Sequence, residues 1–276
     1  MGDVVLLWPI WALASPRSYP YGFIGFILTT VIGTIYVIIM IIIGILFLRS
    51  ARTFRKRELN YLGLAILIVG ICDTFHVIGD IFFYLTNDSR VPIDLDGFTL
   101  YYYPTATCLS TFGIILAYTL IYLFGAIQTR QRFTTIDRIV TILGIIGIGF
   151  GVNPYNWWHM IPPEGAMTTI PITGTFLLVM GILATYSLYR YYQVKLVAEM
   201  KVDAVGRLRL KLILAGIGFL GLLVALMMLH AMLAVMGAKI LMLIVTYFKI
   251  FSLVASVILL YLGVAAPSFI LRRYRG

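Results

Sequence analysis

Five ionisable side chains stand inside otherwise apolar stretches of this sequence: Asp73, His76, Asp80, His230 and Lys249. Charge within hydrocarbon is expensive, so such residues are functional candidates by default. Asp73, His76 and Asp80 follow an i, i+3, i+7 spacing, which places them on one face of a helix. A lysine facing that stripe would pair with Asp73 or with Asp80, and Asp73–Lys249 would make a switchable pair. His76 and His230 would tune the pair or touch a ligand, because imidazole changes charge near neutral pH. His76, Asp80 and His230 also supply three N/O donors, the number a catalytic zinc uses with one position left open. Lys249 offers the amine that a Schiff base with retinal requires. His76 and His230 on facing helices would suit a haem. A polar stripe of Tyr103, Thr107, Ser110 and Thr111 recurs at i, i+4, i+7, i+8 and reaches the same level, and Thr173 and Thr175 approach it from a further stretch.

The elements that must position these groups are membrane helices. The chain has 276 residues, of which 61% are hydrophobic and 12% charged, with a mean hydropathy of +1.00. A soluble domain carries about twice that share of charge. A soluble fold, a disordered chain and a coiled coil are therefore excluded, and the roughly 10-residue alternating segments of a membrane β-barrel are absent. A bilayer-spanning helix needs about 20 mostly apolar residues. Seven candidates answer: 21–48, 61–85, 101–127, 139–152, 170–191, 210–236 and 240–265, the fourth being the shortest. The expected fold is an all-α, polytopic, seven-transmembrane-helix bundle in a single domain. Trp8 to Ala14 reads as an interfacial segment, with no basic region before it to suggest a signal peptide.

Charge sets the orientation. Seventeen of the 21 basic residues fall in the first, third and fifth connections and the C-terminal tail, with four acids; the opposite connections and the N-terminal segment hold three basic residues and five acids. The positive-inside rule then puts the N-terminus outside and the C-terminus in the cytoplasm, in a cell (plasma) membrane. The net charge of +10 thus reflects topology and anionic lipid at the cytoplasmic face rather than nucleic acid, because the basic residues are split among loops and form no folded basic surface. On this orientation all five buried ionisable residues lie in the outer half or near the midplane. Counted from the outer ends, Asp80 lies at roughly 8 Å, His230 at roughly 9 Å, His76 at roughly 14 Å, Lys249 at roughly 15 Å and Asp73 at roughly 18 Å. The reading is an outward-facing polar pocket of Asp73, His76, Asp80, Tyr103, Thr107, His230 and Lys249 that binds a small ligand or senses protonation. The mixed-charge connection from Gln193 to Arg209 would be the surface for a cytoplasmic signalling partner. No catalytic residue or cofactor is assigned.

Other signals carry less. All four Trp residues lie outside the spans, and Val245 stands one turn before Lys249 where a counter-ion would sit, which counts against retinal. Acids beside the histidine pair count against haem. The prolines sit near span ends, so the broken helices typical of a small-solute transporter are missing. Gly216-Ile-Gly-Phe-Leu-Gly221 fits a dinucleotide-binding pattern but lies in an apolar helix with no preceding strand, so close helix packing explains it better, as it does Gly144, Gly147, Gly149 and Gly151. Asn87-Asp-Ser89 is a formal glycosylation sequon. Cys72 and Cys108 read as free, small hydrophobes.

Three resemblances follow. Seven spans in this orientation resemble the rhodopsin-like and receptor-like architecture. Tyr261-Leu-Gly-Val-Ala-Ala-Pro-Ser268, followed by Leu271-Arg-Arg273, resembles the exit from the seven-helix sensory regions of prokaryotic histidine kinases, which often end in Leu-Gly-x-Ala-Pro-Pro and basic residues. That implies a sensory unit whose signal passes to a cytoplasmic partner. The His76, Asp80, His230 set is similar to the intramembrane zinc hydrolases of the alkaline ceramidase and adiponectin-receptor type. It departs from them at Ala234, where their late helix carries a second histidine.

Overall fold

Hydropathy of this kind leaves the backbone one option: every N–H and C=O must be satisfied within a helix. The computed structural model describes residues 22–56, 58–86, 92–95, 98–130, 134–151, 163–199, 204–235 and 239–265. They form α1 (Gly22–Thr53), α2 (Leu59–Thr86), α3 (Tyr102–Arg130), α4 (Thr135–Gly151), α5 (Pro163–Glu199), α6 (Ala204–Val235) and α7 (Lys239–Leu260). The last continues into a single π-helical turn at Tyr261–Ala265. Six of these helices are long and apolar enough to cross a membrane. The exception is α4, with 17 residues. The chain is an integral membrane protein.

Each span expected from hydropathy coincides with a helix, and the departures have physical causes. Between α2 and α3 runs an antiparallel hairpin, β1 (Pro92–Leu95) and β2 (Phe98–Tyr101), paired Pro92 to Tyr101 and Leu95 to Phe98. Tyr101, expected at the head of the third span, therefore belongs to a strand. Asp96-Gly97 between the strands is among the strongest short hairpin signals. The long connection expected from Gln193 to Arg209 is largely helical instead: α5 runs on to Glu199 and α6 starts at Ala204. Its Lys, Leu, Ala and Glu residues are good helix formers, so the helices outlast their apolar segments.

Consecutive helices pack side by side, and α1 meets α7 to close the ring; α3 also packs on α5, which leaves α4 outside, resting mainly on α3 and α5. Close approaches are made at glycines. A Cβ on Gly44 would lie 2.9 Å from the backbone nitrogen of Leu67, and one on Gly125 would lie 2.6 Å from the carbonyl of Ser187. The face that α4 buries is built from Asp137, Val140, Gly144, Gly147 and Gly151. Gly144 receives Thr119, and Gly147 receives Phe176, whereas Gly149 faces open space. Of the Gly216–Gly221 pattern, Gly216 seats Leu260 of α7 and Gly218 touches nothing. Helix packing thus accounts for Gly216 and not for Gly218.

The outer surface is apolar. On α1, Val31, Ile35, Ile38, Ile42 and Ile45 are about half exposed along one face, and on α4 so are Ile136, Ile139, Ile142 and Ile145. Stripes of this size suit lipid, not water. Inside, Met40, Phe47, Leu62, Phe124, Met180 and Leu188 are almost fully buried. Two helix ends are closed by recognisable devices. At the end of α1, Lys56 N–H donates to Ala51 O at 3.0 Å and Arg55 N–H to Arg52 O at 3.3 Å, with Arg55 in the left-handed region (φ 52°). This is the arrangement that glycine usually completes. At the start of α4, Thr134 and Asp137 form a capping box: Thr134 N–H and Oγ1–H both donate to Asp137 Oδ2 at 2.7 Å, and Asp137 N–H returns to Thr134 Oγ1 at 3.4 Å. The other oxygen, Asp137 Oδ1, accepts from Tyr122 of α3 at 2.9 Å. Asp137 is 1% exposed, so what reads in the sequence as a loop charge is a buried latch between α3 and α4.

Candidate functional site

A polar residue in the middle of a membrane helix must find partners within the bundle, so the ionisable groups within the spans define where the helices face one another. A cavity of about 310 Å³ opens between α1, α2, α3, α6 and α7. Asp73 and His76 reach it from α2, Ser110 from α3, His230 from α6, and Thr246 and Lys249 from α7. Four of the seven expected site residues, Asp73, His76, His230 and Lys249, thus line one space. The other three, Asp80, Tyr103 and Thr107, lie outside the residues whose side chains are described. Neither α4 nor α5 contributes to the lining.

Asp73 is the best-anchored group of the site. Tyr36 of α1 donates its hydroxyl to Asp73 Oδ2 at 2.5 Å, and Ser110 of α3 donates to Asp73 Oδ1. The carboxylate therefore ties three helices together. The direct Asp73–Lys249 ion pair expected from the sequence is not formed among the described residues. The hydroxyls of Tyr36 and Ser110 occupy the carboxylate, while Lys249 faces the shared cavity. Its helix, α7, reaches the ring through α1 and α6 rather than through α2. Tyr36 is hidden in the sequence because an aromatic residue in an apolar span reads as core; its signal is a lone hydroxyl at mid-span.

Across the cavity, His230 Nδ1 lies 3.4 Å from Thr246 Oγ1, a weak link between α6 and α7. Tyr118, also on the wall, places its hydroxyl 3.5 Å from Met227 Sδ. Beyond the polar groups the lining is hydrocarbon, including Ala65, Ile66, Ile121, Leu253, Val257 and Leu260. The space is a chamber with polar groups towards one end of its helices and an apolar remainder, the usual make-up of a small-molecule site. Among the described residues no group of three or more His, Cys, Asp or Glu side chains is arranged to hold a metal. The His76, Asp80, His230 triad depends on Asp80 and so reaches outside them. Cys72 and Cys108 are buried and form no disulfide.

The two hydroxyls on Asp73 can be weighed by mutation. Losing one partner of a partly buried carboxylate costs about 1–3 kcal/mol. Tyr36→Phe is expected to fall in that range, read as a lower unfolding midpoint in detergent. Tyr118→Phe, whose hydroxyl makes only the long contact to sulfur, is the control and should cost less. Equal effects of the two would show that the Asp73 bond adds nothing.

At the far end of α7 the bundle is held differently. Arg209 of α6 donates from Nε to Gly263 O at 3.0 Å and from Nη2 to Val264 O at 3.3 Å, both in the π turn. Just inside it, Ser256 donates to Gly216 O at 2.8 Å. Ser256 and Leu260 line the cavity, so the same stretch of α7 touches both the chamber and its neighbour α6.

The chain matches no known protein-family model, and no curated protein or solved structure shows significant similarity to it. The segment 266–276, which carries most of the likeness to sensory histidine kinases, lies outside the described residues. What the fold and site define is a class: an integral membrane helical bundle with a mainly apolar central chamber bearing a carboxylate, two imidazoles and an amine.

Proposed function

We propose that this is a receptor- or sensor-like seven-helix membrane protein, with all seven helices spanning the bilayer, the N-terminus outside and the C-terminus in the cytoplasm. The chamber binds a small molecule or responds to protonation, and the change passes along α6 and α7 to a cytoplasmic partner. The observation that carries this reading is the convergence of Asp73, His76, His230 and Lys249 on one chamber whose wall continues through Ser256 and Leu260 to the α6–α7 contact. The positive-inside count supports the orientation, which turns the polar end of the chamber outward. It also turns Arg49, Arg52, Arg190 and Arg207 towards anionic lipid and any partner.

Coupling between the chamber and the inner face is testable without knowing the ligand. Spin labels at Arg52→Cys and Arg207→Cys, both exposed sites, report the distance between the inner ends of α1 and α6 in a background with Cys72 and Cys108 replaced by alanine. Asp73→Asn and Lys249→Met are expected to shift the distance distribution of the protein in nanodiscs. Unmoved distributions in both variants would remove the basis for a sensor. A second reading, retinal or another aldehyde chromophore bound at Lys249, is favoured by the placement of that amine on an apolar chamber. Its mark would be a visible absorbance band abolished by Lys249→Ala.

A further inference from the structure

We infer that the chamber takes a single-chain amphiphile with an anionic carboxylate head, the head seated at Lys249 and the chain lying along α7 towards Leu260. The inference rests on the proposed role of the chamber as a ligand site and specifies the class of ligand. Three observations support it. The first is the unequal state of the two charged walls. Both oxygens of Asp73 already accept a hydroxyl, one from Tyr36 and one from Ser110. The Lys249 ammonium, which has three donors, lines the same space without an acid bonded to it among the described residues. A buried ammonium is stable when paired and hydrogen-bonded, so the open position favours an anion over a cation.

The second observation is the shape. From Lys249 to Leu260 is eleven residues along α7, which is about 16 Å of helix. From Asp73 back to Ala65 is eight residues along α2, about 12 Å. Both stretches contribute to the lining, and between these ends the wall includes Ile66, Leu253 and Val257. The length and the volume of about 310 Å³ suit a single chain of roughly ten carbons in extended form. The volume holds one such chain rather than two. The third observation is chemical. His230, beside Thr246 one turn of α7 before Lys249, gives the head a second polar neighbour, whereas at the opposite end the one hydroxyl in the lining, on Ser256, is already bonded to Gly216 O. Burial of a methylene contributes about 0.8 kcal/mol, so the chain supplies affinity and the head supplies direction.

The test compares decanoate, decanol and decylamine as added probes on the purified chain in phosphatidylcholine nanodiscs, with binding read as a shift of the thermal midpoint over a concentration series. A nanodisc series containing phosphatidylglycerol separates an acyl acid from an anionic phospholipid as the source of the charge. Decanoate is expected to raise the midpoint in a saturable way. Lys249→Met should weaken its apparent binding by about tenfold or more, while Lys249→Arg should retain most of it. Decanol should act weakly and without saturation. Equal shifts by decanoate and decanol in the wild-type protein would overturn the inference, and that comparison stands even if the Lys249 variants fail to fold. Stabilisation by phosphatidylglycerol alone would also overturn it. Saturable stabilisation by decylamine, lost in Asp73→Asn, would overturn the carboxylate class yet leave the chamber a ligand site. If no probe acts and the spin-label distances are also unmoved, both readings fail together.

Discussion

Replacing Asp137 by alanine is expected to lower the stability of the bundle by about 3 kcal/mol, with Asp137→Asn recovering part of the loss. The side chain is 1% exposed and accepts hydrogen bonds from Tyr122 Oη, Thr134 N and Thr134 Oγ1. Two of them start α4, where removing a cap costs about 0.5–2 kcal/mol. The third joins α4 to α3, and hydrogen bonds to a charged group contribute about 1.5–3 kcal/mol each. The terms overlap, which keeps the total below their sum. Because α4 rests mainly on α3 and α5, the loss should be local. Unfolding in a dodecyl sulfate titration should begin earlier, and backbone amides of residues 135–151 should exchange faster while those of α6 and α7 keep their protection. Uniform loss of protection across all helices, or none, would contradict the latch.

The second large effect lies at Gly125. A Cβ there would come within 2.5 Å of Ser187 Oγ and 2.6 Å of Ser187 C and O. Backbone atoms of α5 cannot step aside as a flexible side chain would. Gly125→Ala should therefore cost about 1–3 kcal/mol, the usual range for overpacking, and Gly125→Leu should prevent recovery of folded protein. The controls are in the same chain: Gly149 and Gly218 have nothing within 4 Å of an added Cβ. Alanine at either should be neutral or stabilising by up to about 1 kcal/mol, through helix propensity alone. The measurement is the unfolding midpoint of the three alanine variants side by side. If Gly149→Ala is as damaging as Gly125→Ala, the close approach of α3 and α5 is not what Gly125 provides.

These two sites show what a hydropathy profile can and cannot convey. A stretch such as 30–48 is apolar whatever its neighbours are, so each span is legible from its own residues. Which glycine faces a backbone depends on helix rotation, and Gly147 and Gly149 look alike in sequence although only Gly147 is packed. The Thr134-to-Asp137 spacing does carry a capping-box signal, but a lone acid among basic loop residues reads more readily as topology. The site was legible as a list of costly residues: Asp73, His76, His230 and Lys249 stand out because lipid cannot solvate them, and they do share one chamber. Their pairing was not legible. Asp73 turns to Tyr36 and Ser110, hydroxyls whose burial is unremarkable in sequence, instead of to the lysine that charge alone suggests. Asp80, Tyr103 and Thr107 remain candidates by sequence only.

The chamber draws Asp73 and His76 from the second helix and His230 and Lys249 from the last two, with α1 joining α7 to complete the wall. No contiguous piece of the chain contains it. During synthesis the early helices leave the ribosome with half of the site and wait for the rest, so the chamber is among the last features to come into being. Any molecule that fits it binds the closed ring and not the open chain, and adds RT ln(1 + [L]/Kd) to the closed form. A molecule bound there would raise the share of chains that stay in the closed ring.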